Sequence, residues 1–115
     1  MVSVPIFEGV GTMIRHVVMW KLKDEAEGRS KADNARMLCE RLMDCRDLVP
    51  GQGPLEVGIA EDTAGVSTFD VVLIADFESR EALDAYQEHP THAALKPFVA
   101  AVREARECVD FFVGA

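Results

Sequence analysis

A concentrated basic surface is missing from this 115-residue chain: 12 lysines and arginines face 20 acids, for a formal net charge of −8. Binding a phosphate backbone needs clustered cations, so the balance argues against nucleic acid as a partner and mainly serves solubility. Long hydrophobic runs are absent as well. No apolar stretch reaches the roughly 20 residues that span a bilayer, so no membrane partner is expected. Met1–Thr12 also lacks the basic start and apolar segment of a signal peptide. Cysteine is scarce, with Cys39, Cys45 and Cys108 making an odd set of 3 without a CxxC spacing. Each sits in an apolar pattern, which favours small buried thiols over a disulfide frame or a metal site, in a reducing cytoplasm. There is no glycine-rich phosphate loop and no low-complexity tract.

What is present is the periodic pattern of one modest core, with 49% apolar residues. The pattern begins at Met13, so residues 1–12 read as an extension and residues 13–115 as a single domain. A translation start at Met13 would leave that domain complete. Ile14, His16, Val18, Trp20 and Leu22 alternate with Arg15, Val17, Met19 and Lys21, a strand with two distinct faces. Ser30, with Asp33 three residues on, reads as the cap of a helix carrying Ala35, Leu38, Leu42, Cys45 and Val49. The segment Pro50-Gly51-Gln52-Gly53-Pro54 stops it.

Leu55, Val57 and Ile59 form a second strand, and Phe69–Phe77 a third with alternating faces. Ser79 caps a helix through Ala82, Leu83 and Tyr86, which His89-Pro90 interrupts because a residue before proline is pushed out of the helical region. Pro90 and Pro97 each open a new helical turn, the last carrying Phe98, Val102 and Ala105, and Cys108–Val113 closes the chain as a fourth strand. The order β-α-β-β-α-β is α+β and ferredoxin-like, with a four-stranded antiparallel sheet.

That topology puts both crossover helices on one face of the sheet, because such crossovers are right-handed. Val17, Met19, Val72 and Ile74 then lie on a face that nothing in the chain covers. An open apolar sheet face usually marks an interface, so a homodimer packed through its sheet faces is expected. With the first and third strands as antiparallel neighbours, Arg15 falls near Asp76 and Lys21 near Asp70 on that face.

The chemistry-bearing residues concentrate in Tyr86-Gln87-Glu88-His89-Pro90-Thr91-His92, with His16 free to join them through folding. Histidine exchanges protons near neutral pH, and a tyrosine can act as a base only beside a partner that holds its proton. Each residue also has a plain structural reading. Tyr86 fits a core edge and His92 a polar cap. His89 fits a helix terminator and His16 a core residue bonded to a neighbour. Trp20 and Phe98 suit an aromatic ligand, or simply core packing. His89, His92 and His16 have a usable metal-ligand count, but Pro90 disturbs the spacing and no carboxylate is clearly arranged to hold the ligating rings, so no metal is expected.

Met13-Ile14-Arg15-His16-Val17-Val18-Met19-Trp20-Lys21-Leu22-Lys23, Phe77-Glu78-Ser79, the Tyr86–His92 segment and Val109-Asp110-Phe111 together resemble the stress-responsive A/B barrel domain, the Dabb family of dimeric α+β barrels. The likeness runs from about Met13 to Val113. It implies a ferredoxin-like subunit, a face-to-face dimer and a cavity between sheet and helices that binds a small organic molecule. In the plant polyketide-cyclase branch, a tyrosine and a histidine matching Tyr86 and His92 carry an aldol-type ring closure without a cofactor. There the tyrosine is the base and the histidine holds it. His16 and His89 match further histidines of that branch, and with Trp20 and Phe98 they are the candidate substrate-binding residues. The third strand departs from it, since Phe69–Phe77 contains no histidine. Three readings therefore stand: a ligand-binding dimer, a cyclase or isomerase acting on a β-keto substrate, and a structural dimer without ligand.

Overall fold

The computed structural model describes residues 13–113. Four long strands form one antiparallel sheet: β1 (Ile14–Leu22), β4 (Gln52–Ile59), β5 (Val71–Phe77) and β6 (Arg103–Phe112), in the order β4-β5-β1-β6. Two short strands, β2 (Glu25–Ala26) and β3 (Arg29–Ser30), pair separately. The helices are α1 (Lys31–Met43), α2 (Arg80–Glu88), α3 (Pro90–Ala93) and α4 (Lys96–Val102). This is the expected ferredoxin-like α+β arrangement, with the second helical crossover, between β5 and β6, broken into three short pieces.

The caps act as their residue types dictate. Ser30 accepts a hydrogen bond from the Asp33 amide at 3.1 Å, and Ser79 accepts one from Ala82 at 3.1 Å, each satisfying a donor at a helix start. α1 ends at Met43, short of the expected Val49. Beyond it the chain turns through Asp47, at φ 53, instead of continuing the helix. Gln52 holds that turn: its Oε1 accepts from Leu48 at 2.8 Å and Val49 at 3.3 Å, and its Nε2 donates to the Cys45 carbonyl at 2.8 Å.

The alternation along β1 and β5 decides the layering. Ile14, His16, Val18, Trp20 and Leu22 are buried, as are Val71, Leu73, Ala75 and Phe77 on β5. They meet Ala35, Leu38 and Leu42 of α1 and Leu83 and Tyr86 of α2 in one core. Each fully buried aliphatic side chain here contributes about 1.5–3 kcal/mol. The opposite face takes no part in that core. Val17, Val72 and Ile74 are half-buried, while Met19 (37%), Val109 (54%) and Phe111 (45%) are exposed.

Two further sequence-based expectations change. Arg15 does pair with Asp76, donating from Nε at 2.8 Å and from Nη2 at 3.0 Å. Lys21 does not reach Asp70. The β5 strand begins at Val71 rather than Phe69, and the Asp70 carboxylate accepts from the Leu22 amide at 2.8 Å, so it is held against the end of β1. Lys21 lies instead 3.5 Å from Glu104. The second change concerns the end of the chain. α4 stops at Val102, and Ala105 belongs to β6, which starts at Arg103 rather than Cys108. The polar run Arg103–Glu107 looks helical by composition, but β1 offers it an unpaired edge, and Trp20 opposes Arg106 while Leu22 opposes Arg103. Pairing the ladder outweighs local propensity.

The β2–β3 hairpin has no counterpart in the sequence reading. It turns through Glu27 and Gly28 at φ 55 and 74, both left-handed, the pattern of a two-residue hairpin. Asn34, fully buried on α1, fastens it by donating to the Ala26 carbonyl at 3.0 Å and accepting from Arg29 Nε at 2.8 Å.

Candidate functional site

Between the inner sheet face and the helices lies a cavity of about 430 Å³. That is at the small end of ligand pockets, which run from about 300 to 1,000 Å³. Val18, Leu42, Leu73, Leu95, Val99 and Ala100 form its apolar wall. His16, Trp20, Gln87 and His92 add polar atoms, and Lys96, Arg103 and Arg106 add charge. Lys96, Arg103 and Arg106 are exposed, while Val18, Trp20, Leu42 and Leu73 are buried, so the cations mark the solvent side.

The sheet supplies His16 and Trp20 because even-numbered residues of β1 face inward. His16 is fully enclosed, at 2% exposure, and its Nδ1 lies 2.6 Å from Asp110 Oδ1 on β6. With the carboxylate accepting, Nδ1 carries the proton and the ring is held in one orientation. The Trp20 indole N–H is buried and has no hydrogen-bond partner in the protein.

His92 enters through the break at Pro90, which opens α3 and carries the ring back against Tyr86. The two ring centroids are 4.8 Å apart, and Tyr86 in turn packs on Phe77 at 4.9 Å. His92 lines the cavity, its Nδ1 buried and without a protein partner. Burial, and secondarily the nearby Lys96 ammonium, lower its pKa below the ordinary histidine value, so the ring is held neutral. Tyr86 is different. It is fully buried, lies behind His92 rather than on the cavity wall, and its hydroxyl has no partner in the protein. Burial, with the Cys45 thiol nearby, raises its pKa well above that of a free phenol and disfavours the phenolate a base would need.

Two of the candidate substrate-binding residues stand outside the lining. His89 is the junction of α2 and α3: Pro90 forces it into extended backbone at ψ 139, and its Nδ1 accepts from the Thr91 amide at 3.1 Å. Phe98 sits one residue off the cavity face of α4, which is formed by Lys96, Val99 and Ala100 with Arg103 just beyond. Its ring instead receives the guanidinium of Arg41 at 4.5 Å, with Arg29 at 5.9 Å. The spacing of 96, 99 and 100 was a helical-face signal in the sequence; Arg103 and Arg106 were not findable without the β1–β6 register.

The nearest set of metal-type donors is His16 Nδ1, Cys108 Sγ and the Asp110 carboxylate, all within 4.8 Å of one another. Cys108 Sγ is 3.9 Å from both partners. The His16–Asp110 hydrogen bond already occupies two of these donors, and Arg80 Nη2, 3.4 Å from Asp110 Oδ2, would repel a cation. Cys108 is exposed rather than the buried thiol its apolar pattern suggested, because β6 is an edge strand; partial desolvation and then Asp110 raise its pKa, so the group is not an activated thiolate.

Comparison with known proteins bears on this geometry. Comparison with curated proteins gives no match. A dimeric ferredoxin-like protein of unknown function from Thermobifida fusca superposes with a TM-score of 0.77 at 23% identity, over 90% of this chain and 92% of that one. A dimeric ferredoxin-like protein of unknown function from Jannaschia gives a TM-score of 0.67 at 27% identity, over 88% and 99%. A hydroxynitrile lyase from Passiflora edulis gives 0.71 at 15% identity, over 90% and 95%, a likeness of fold alone. The family model for the stress responsive A/B barrel domain matches residues 14–113, and with the described sheet and helices this makes the chain a member of the Dabb family.

Proposed function

We propose that this protein is a homodimer that binds a small, largely apolar organic molecule in the cavity between sheet and helices. One observation carries the reading: a 430 Å³ cavity with an aliphatic wall of Val18, Leu42, Leu73, Leu95, Val99 and Ala100, lined also by the His16, Trp20 and His92 rings. Face-to-face pairing of the sheets is supported by the exposed Met19, Val109 and Phe111 on the helix-free face. The dimeric relatives from Thermobifida fusca and Jannaschia are consistent with it. Residues 13–115 act as one unit in this reading, and a reducing cytoplasm is the compartment we assign. In its favour, the buried Cys45 thiol has its pKa pushed up to about 11 by burial and Asp44 and serves as packing. No helix among the described residues is long and apolar enough to cross a membrane.

The test uses 1-aminoanthracene, a neutral apolar fluorophore. Its emission should rise on binding the wild type and not with Val99→Trp, which fills the cavity, provided the variant melts within a few degrees of wild type. Equal binding by both would remove the cavity from the account.

A catalytic variant of this reading is favoured by one feature, the neutral His92 ring in the cavity wall. It would draw a proton from a carbon next to a carbonyl, with Tyr86 positioning the ring from behind rather than serving as the base. Turnover of a β-keto ester that is lost in His92→Gln and retained in Tyr86→Phe is the expected pattern. Loss in both, with folding intact, would return Tyr86 to the chemistry.

A further inference from the structure

The cavity wall is cationic although the protein is acidic. Lys96, Arg103 and Arg106 line it and no aspartate or glutamate does, while acids outnumber lysine and arginine by 20 to 12 along the chain. Among the described residues, none of the three is engaged in a salt bridge. All three are exposed on the solvent side of the cavity, within reach of an entering ligand.

The backbone itself selects this charge. β6 runs against β1 with Trp20 opposite Arg106 and Lys21 opposite Ala105, and regular pairing would next set Glu104 opposite Leu22 on the cavity face. A bulge at Lys21/Leu22 shifts the register by one residue, so Arg103 takes that place. Glu104 is left to the neighbouring Lys21, 3.5 Å away. One irregularity in the ladder thus exchanges an acid for a base at the cavity.

We propose that the ligand is an apolar molecule ending in a carboxylate, with its hydrocarbon part along Val18, Leu73, Leu95 and Val99 and its head on the solvent side among Lys96, Arg103 and Arg106. The assignment rests on the ligand-binding reading above and narrows it to a chemical class. Guanidinium forks match a planar carboxylate with two parallel hydrogen bonds, and partial enclosure strengthens them relative to bulk water. An uncharged or cationic molecule of the same shape would leave these donors unused or repelled, which is how such a site discriminates.

Trp20 is the chain's one tryptophan and lines the cavity, so its emission reports occupancy directly. Decanoate and decanol, equal in chain length and different in head, are titrated against wild type and the Arg103→Gln/Arg106→Gln double variant. Decanoate should bind wild type at least about tenfold more tightly than decanol, the effect of one charge-assisted hydrogen bond. The double variant should lose most of that preference while binding decanol as wild type does, which also shows that it is folded. Equal affinity of wild type for the two molecules, or an undiminished preference in the double variant, overturns the carboxylate assignment and leaves the cavity reading standing. If neither molecule alters Trp20 emission, both fall.

Discussion

The His92 ring packs against the Tyr86 ring at 4.8 Å, yet only His92 belongs to the cavity wall. The pair is therefore layered, with histidine towards the ligand space and tyrosine towards Phe77 and the core. Layering separates the two roles that a Tyr–His pair offers. The outer ring is available for contact, and the inner one supports it.

Tyr86→Phe should accordingly be mild. It deletes a buried hydroxyl that has no partner in the protein, so stability should stay within about 1 kcal/mol of wild type or rise slightly. Tyr86→Ala, by contrast, empties a core position and should cost about 3–5 kcal/mol. Urea denaturation of both variants measures this. A loss from Tyr86→Phe as large as that from Tyr86→Ala would mean the hydroxyl is bonded after all.

His92 gives the protein a pH dependence with a definite sign. Its folded-state pKa lies below the unfolded value of about 6.5, chiefly through burial and then through Lys96. The unfolded chain therefore binds the proton more readily, and stability rises with pH where the two states differ. The contribution is complete above pH of about 6.5 and is lost as pH falls through the lower folded value. Urea midpoints at a series of pH values should show this decline below neutrality, and His92→Gln should flatten it. An unchanged slope in the variant would assign the dependence to other groups.

Phe111 is the clearest probe of the open sheet face. It is 45% exposed and opposes Arg15, while Val109 opposes Val17 and is 54% exposed. Phe111→Glu should convert a dimer into a folded monomer, with light scattering giving the mass and circular dichroism confirming the fold. A wild type that is monomeric at micromolar concentration would contradict the face-to-face arrangement.

Much of this architecture could be read from residue order. The two-residue period of β1 shows which side His16 and Trp20 face, Ser30 and Ser79 cap as expected, and Pro90 breaks the helix where it must. These signals are local and depend on a residue and its immediate neighbours. What stayed hidden depends on partners far along the chain. Arg103–Glu107 is strand only because β1 has an edge to pair, so the two arginines of the cavity could not be found from spacing. Glu27 adopts a left-handed φ of 55 that its residue type does not advertise. Tyr86 has the spacing of a helix edge, but the bend at Pro90 folds His92 over it and closes it off from the cavity.

The most direct test of the central claim follows the single indole N–H resonance of Trp20 by NMR while decanoate is added. Occupancy of the cavity should move that signal, together with amides near His92 and Val99, and leave Val17 and Ile74 on the opposite sheet face unmoved. Shifts confined to Val17, Ile74 and their neighbours, with the Trp20 signal unchanged, would place the ligand on the outer face and contradict a binding site between sheet and helices.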